Sequence, residues 1–258
     1  MATLPNPLPR IASLGLDLPA GRLIDATDDG PWHEPLLWLA DGPAAAGGWS
    51  ATAEAAPAVG LLPVLLDVGG GHGGPEEWEL MPGEMSYPGD HDAEEVLEDA
   101  WDECAEEDAD WPGLADTPYT ETDSEPDSVA SDIVESLLDG SGPLKDPHLA
   151  LVPARRSADI PAAIGWMGPA NHESDTARLS AVLRSWEDRF GIRVVALGFD
   201  HLLVSVAHPP TTLAEAQAVA AEHFAFCPDN IWQSSDPTLT AYAESQLLNQ
   251  PAWHFWWD

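Results

Sequence analysis

The sequence predicts an α+β protein: a C-terminal β-α-α-β-β-α-α-β domain with a mostly antiparallel sheet, preceded by a smaller acidic region of α/β type. Three observations carry this. Leu179, Val182, Leu183, Trp186 and Phe190 recur at helical spacing and stop at Gly191. Two β-rich runs, Arg193–Leu197 and Leu202–Val206, flank Gly198-Phe199-Asp200-His201, which is hairpin chemistry. Thr212-Leu-Ala-Glu215 is a capping box that opens a further helix. Strands and helices in that order fit an antiparallel or mixed sheet with helices packed on it.

Taken from the start, a proline-rich opening leads to short strands at Gly21–Ile24 and Pro35–Ala40, bounded by Asp/Gly/Pro turns. Ala44–Ala56 is a weak helix, and the apolar run Gly60–Leu66 is short enough for a buried strand, giving a β-α-β arrangement. Pro63 argues for an edge or irregular position of that strand. Val68-Gly-Gly-Gly-His-Gly-Gly74 lacks both a phosphate-loop lysine and dinucleotide-binding spacing, so it is expected to be a flexible loop. Residues 92–109 form a helix that Asp92 and Glu95 start, with Val96, Leu97, Ala100, Trp101 and Cys104 on one face. On its other face Glu94, Glu98, Asp102 and Glu106 stack four apart, and each like-charge pair costs about a few tenths of a kcal/mol unless a cation or partner offsets it.

The segment 110–147 is rich in Asp, Glu, Ser, Thr, Pro and Gly and is expected to be a linker, with a short helix over 128–139 marked by Val129, Ile133, Val134, Leu137 and Leu138. That division gives an N-terminal region at 1–109 and a domain at 148–258. In the domain, Leu149–Val152 is a strand and Ile160–Ile164 a short helix before Gly165. The helix after Thr212 places Leu213, Ala216, Ala220, His223, Phe224 and Cys227 on one side, Pro228-Asp-Asn230 forces a turn, and Asp236-Pro237 caps a last helix. Ala252–Trp257 closes the chain as a strand with bulky residues on both faces, expected to be central and sandwiched.

Charge narrows the partners. Residues 23–144 contain 31 acidic residues and no lysine or arginine, within a formal net charge of −36 over 258 residues. A single-sign field of that size repels nucleic acid and anionic membrane and favours cations or a basic partner; solubilisation or adaptation to high salt would also account for it. Two cysteines, Cys104 and Cys227, cannot build a disulfide framework, no fourfold Cys/His spacing marks a structural zinc, and the opening lacks the order of a signal peptide. The expectation is a cytoplasmic protein without a membrane span, metal or cofactor.

Two separated motifs and the hairpin before Pro209-Pro210 carry a resemblance. With that hairpin, Ala220-Ala-Glu-His-Phe-Ala-Phe-Cys-Pro-Asp-Asn230 and Trp253-His-Phe-Trp-Trp-Asp258 resemble the bacterial domain-of-unknown-function family 4253 (DUF4253), over about residues 148–258. The stretch Glu34–Pro43 through Gly60–Leu66 is similar to the N-terminal region of longer actinobacterial members. The resemblance implies a fold and a cytosolic bacterial setting and transfers no catalytic residue.

The candidate site is therefore drawn from the residues themselves: Glu222, His223, Cys227, Asp229 and Asn230 with Trp257 and Asp258. A His four residues before a Cys on one helical face can reach the thiol, and Asp229 could orient the imidazole. Against this, the stripe is apolar, no oxyanion donor is identifiable, and a free Cys is commonly a small core residue. His223, Cys227 and Asp229 or Asp258 also fall short as a zinc set, because two close ligands are too few. The function expected is a non-enzymatic interaction protein engaging a basic partner, of the immunity or inhibitor type, through Glu94, Glu98, Asp102 and Glu106. The alternative is a hydrolase-like enzyme using Glu222–Asn230 with the C-terminal strand.

Overall fold

A computed structural model describes residues 5–106, 109–117, 124–140 and 142–258. The fold is α+β, built on one seven-stranded sheet with helices on both faces. In chain order the elements are β1 (Gly21–Ile24), β2 (Leu37–Pro43), α1 (Gly48–Ala55), β3 (Leu62–Asp67), α2 (Ala93–Cys104), α3 (Pro126–Leu138), β4 (Pro147–Val152), α4 (Ile160–Ile164) and α5 (Thr176–Phe190). They continue as β5 (Ile192–Leu197), β6 (His201–Val206), α6 (Leu213–Phe226), α7 (Asp229–Trp232), α8 (Leu239–Tyr242) with a π-helical extension over Ala243–Leu247, and β7 (Ala252–Trp256).

The sheet order is β1-β2-β4-β3-β5-β6-β7, antiparallel except for the β3/β5 pair. Because β4 is antiparallel to both β2 and β3, those two run parallel with α1 between them, and the expected β-α-β unit is split by the insertion of β4. Strands from 1–109 and from 148–258 thus share one sheet, and hydrogen bonding runs across the boundary drawn from composition. Pro63 sits in a central strand, but the ladder to β5 begins only at Leu65, so at Pro63 the strand pairs with β4 alone and the missing N–H is tolerated.

Strand alternation divides the core in two. Leu37, Leu39, Val64, Leu66, Ala150, Val152, Val204, Trp253 and Phe255 face α2, α4, α5 and α6. Trp38, Leu65, Leu149, Leu151 and Leu203 face α1 and α3. In β5 both Val195 and Ala196 fall on the second side, because the register against β6 shifts between Val194 and Ala196 and the bulge breaks the alternation.

Several helical expectations are met. Asp92 accepts from the Glu94 and Glu95 amides, α2 buries Val96, Leu97 and Trp101, and the Thr212/Glu215 capping box is complete. The helix expected over 92–109 ends at Cys104, and residues 107–108 lie outside the described residues. Leu213, placed inward by periodicity, is exposed, while Val219, Glu222 and Phe226 are also buried. Packing surrounds the last turns of α6, so no single stripe describes it. The last helix is capped by Thr238 and not by Asp236, with the Thr238 hydroxyl accepting from the Ala241 amide.

The stretch expected to be a linker is anchored where it is described. Trp111, Leu114 and Ala115 join the larger core, the Ala115 amide donates to Glu222, and α3 buries Ala130, Val134 and Leu137 against the opposite face of the sheet. A few apolar side chains hold a strand of otherwise acidic, solvent-facing sequence; residues 118–123 and 141 lie outside the described residues. The closing strand is corrected more sharply. β7 pairs only with β6 and forms an edge of the sheet. Trp253, Phe255 and Trp257 are buried, His254 is exposed and Trp256 half-buried, because helices cover one face of β7 only.

Candidate functional site

The end of the stretch Glu222–Asn230 lies against the closing strand, and the side chains of Cys227, Asp229 and Asn230 hold that strand. Cys227 Sγ donates to the Trp256 carbonyl oxygen at 3.0 Å. The Asn230 amide donates to the His254 carbonyl at 2.7 Å and accepts from the Trp256 amide at 3.2 Å, so one side chain satisfies both backbone groups that a neighbouring strand would have paired. Asp229 accepts from the Asp258 amide at 3.1 Å and from His172 Nε2 at 3.0 Å. The Pro228-Asp-Asn230 turn is the start of the one-turn helix α7, which presents these groups side by side to the edge of β7.

Glu222 is 0% exposed and binds four donors. Its Oε1 accepts from the Ala115 amide at 2.7 Å and Arg189 Nη1 at 2.8 Å; its Oε2 accepts from Trp186 Nε1 at 2.7 Å and Arg189 Nη2 at 2.6 Å. A buried carboxylate is tolerated because a bidentate guanidinium and two further N–H groups replace its water. Its whole hydrogen-bonding capacity is occupied, and it ties α5, α6 and the 110–117 segment together.

His223 is fully buried among Trp186, Trp253 and Phe255, with ring centroids 4.8, 4.6 and 4.7 Å away. Its Nδ1 shares a hydrogen bond with the Tyr242 hydroxyl at 3.1 Å, while Nε2 has no partner. Burial holds its pKa well below the ordinary 6.5, so the ring is neutral. Burial likewise pushes the Cys227 thiol up to about 12 and the Cys104 thiol up to about 11. Neither is a thiolate near neutral pH, and an unionised, enclosed thiol is a poor nucleophile. His223 and Cys227 belong to one helix but serve different neighbours: the imidazole meets Tyr242 and the thiol meets Trp256.

Glu94, Glu98, Asp102 and Glu106 are all exposed, and among the described residues none of them is in an ion pair, but Glu106 lies past the extended Ala105 that ends α2 and so falls outside the helical row. Arg178 pairs with Asp99 of α2, and Arg184, Arg189 and Arg193 pair away from that helix with Asp159, Glu222 and Asp127. The helix carrying the carboxylates is held firmly, since α2 packs on α5 and α6 and Trp101 meets Phe224 edge to face at 5.7 Å. Phe224 in turn meets Trp232 edge to face at 5.7 Å, and Trp232 is 49% exposed. The sequence marked the acidic row by its spacing of four but missed Trp232, whose exposure depends on where α7 ends.

Two clefts open near the closing strand. One of about 290 Å³ is lined by Asn230, Ser235, Tyr242, Gln246, His254 and Trp256. The other, of about 390 Å³, involves Trp257 and Asp258 with residues the sequence did not single out, including His72, Glu79 and Phe199; Asn230 lines the first cleft, and Glu222, His223, Cys227 and Asp229 line neither, so the expected set does not form one pocket. Among the described residues no three His, Cys, Asp or Glu side chains converge as metal ligands, and no helix is long and apolar enough to cross a membrane.

No curated protein and no solved structure matches the chain. The family described as Domain of unknown function (DUF4253) matches residues 148–258, which span β4 to the end of β7 with the clamp from α7. The chain thus carries a DUF4253 domain over residues 148–258.

Proposed function

We propose that this is a non-enzymatic, cytoplasmic interaction protein that engages a basic partner, of the immunity or inhibitor type, through the outer face of α2, with the exposed Trp232 contributing. The observation that carries the reading is the row Glu94, Glu98 and Asp102: exposed, without cations, and fixed on a helix packed into the core. Carboxylates on a rigid element can match a basic surface without an ordering cost, and they steer association. Trp232, exposed and linked to α2 through Phe224 and Trp101, supplies an apolar anchor of the kind that interfaces favour. Two cysteines left unpaired agree with a reducing compartment. The hydrolase alternative has less support, because Glu222, His223 and Cys227 are buried and committed to the fold.

The test is a titration of the purified protein against folded basic proteins, compared with polyglutamate of equal charge. Selective binding should exceed that of polyglutamate by at least about tenfold at 0.15 M salt, where long-range fields are screened beyond roughly 8 Å. Trp232→Ala should weaken it while leaving the unfolding transition in place. Equal binding by polyglutamate, or binding lost to salt in parallel for both, would overturn the proposal.

A further inference from the structure

The ≈ 390 Å³ cleft lies on a part of the surface that the α2 reading does not use. β3 and β5 are the parallel pair of the sheet, and the segments leaving their carboxyl ends, Val68–Gly74 and Gly198–Asp200, both reach it. Crevices outside the carboxyl ends of parallel strands are recurrent ligand sites, and this volume is within the range of small-molecule pockets. The glycine-rich segment is organised there: His72 stacks flat on Phe199, with centroids 3.8 Å apart and planes 6° apart.

The wall is aromatic and acidic. Trp78, Phe199, Trp256 and Trp257 line it with Met81 and Met167, and no lysine or arginine does. Four carboxylate residues, Asp28, Glu79, Asp200 and Asp258, line the wall from separate segments. The Asp28 amide bonds to the Leu80 carbonyl and the Trp257 amide to the Asp200 carbonyl, which ties those segments together. Among the described residues none of Asp28, Glu79 and Asp258 is in an ion pair with a lysine or arginine, and Asp200 lies 3.2 Å from His201. Glu79 also holds φ 54°, a left-handed conformation unfavourable for a residue with its side chain. Such strain persists where surrounding structure imposes it and is enriched at ligand sites. Gly165, itself at φ +68°, accepts from the Met81 amide at 2.8 Å and fixes the end of the strained segment.

We infer that this cleft binds a small organic dication, an aliphatic diamine or guanidino-amine, with its cationic ends on the carboxylates Asp28, Glu79, Asp200 and Asp258 that line the cleft and its body against the aromatic wall. Carboxylates supply the counter-charge, ring faces add cation–π attraction, and the methionines accommodate an alkyl chain. The inference does not depend on the α2 proposal, and either can fail alone.

The experiment is a calorimetric and tryptophan-fluorescence titration of the full chain with agmatine and with spermidine in 0.15 M NaCl and 5 mM Mg²⁺, which suppresses diffuse attraction to an acidic protein. One-to-one saturable binding is expected, weakened at least tenfold by Asp28→Asn/Glu79→Gln and by less than twofold by the charge-matched Glu54→Gln/Glu244→Gln. Thermal unfolding of each variant verifies its fold, and Asp200→Asn provides a second cleft variant should the first not fold. Absence of saturation, equal weakening by both double variants, or loss of all binding to Mg²⁺ would overturn the inference.

Discussion

Arg189→Ala should cost the fold about 3–5 kcal/mol, the range found when one partner of a buried ion pair is removed. The geometry accounts for the size. Glu222 is 0% exposed and Arg189 only 13%, so water cannot replace the guanidinium, and the carboxylate would keep only the Ala115 amide and Trp186 Nε1. The variant also loses the bonds from Arg189 to the Ala115 carbonyl at 2.9 Å and to Ser185 Oγ at 3.1 Å. Glu222→Gln should cost about 3 kcal/mol by a different route: one carboxylate oxygen becomes an NH₂ facing two donors, and two charge-assisted bonds of roughly 1.5–3 kcal/mol are lost. The double variant Arg189→Met/Glu222→Leu should be less destabilised than Arg189→Ala, because it leaves no buried charge alone. Urea unfolding followed by tryptophan fluorescence reads all three, with a melting shift of about 10 °C expected for Arg189→Ala at roughly 2–4 °C per kcal/mol. A loss below about 1 kcal/mol for Arg189→Ala would refute the structural role assigned to this pair.

Other outcomes follow from the same groups. His223 is neutral in the fold with its pKa well below 6.5, so the unfolded chain takes up a proton that the native chain does not as pH falls below about 6.5; stability should then fall by up to about 1.4 kcal/mol per pH unit. His223→Gln should remove one proton's worth of that acid slope in unfolding measured between pH 7 and 5. Cys104, half-buried and held at about 11, and Cys227, buried and held at about 12, should resist iodoacetamide at pH 8 until denaturant is added, and labelling of the native protein at the unfolded rate would contradict these raised thiol pKa values. Asn230→Ala should destabilise by about 1–3 kcal/mol and expose the β7 edge, seen as concentration-dependent association in sedimentation. Gly165→Ala should destabilise by about 1–3 kcal/mol, since a Cβ there would run into the backbone of Met81 and Pro82 at positive φ.

The local elements were legible where sequence signals act locally. Periodicity placed α5, the capping box placed the start of α6, and the Gly198–His201 turn placed the hairpin. Sheet order was not legible, because the insertion of β4 between β2 and β3 is a pairing between residues 80 to 113 positions apart with no local mark. Two bulky faces suggested a central place for β7, whereas its edge position depends on the absence of a covering layer and on an Asn side chain standing in for a strand. Within the candidate site, the sequence brought Cys227, Asp229 and Asn230 to Asp258 but could not tell chemistry from clamping. One usable signal was passed over: Glu222 is the lone carboxylate in the otherwise apolar last turns of α6, and a lone charge there requires a partner, which Arg189 supplies. The His72–Phe199 stack had no motif to announce it, since the two residues meet only after β3 and β5 align.

The central claim is that the protein acts by binding through one face, and charge reversal tests it most directly. Glu94→Lys/Glu98→Lys/Asp102→Lys changes the net charge as much as Asp17→Lys/Glu54→Lys/Glu244→Lys, and all six positions are exposed. The three lysines would again lie four apart, so thermal unfolding of both triple variants is measured to show that folding does not confound the result. Affinity for a folded basic protein, measured by calorimetry at 0.15 M salt, should fall at least tenfold further for the α2 variant than for the control. Equal losses in the two variants would mean that the acidity acts only as bulk charge and would contradict the account.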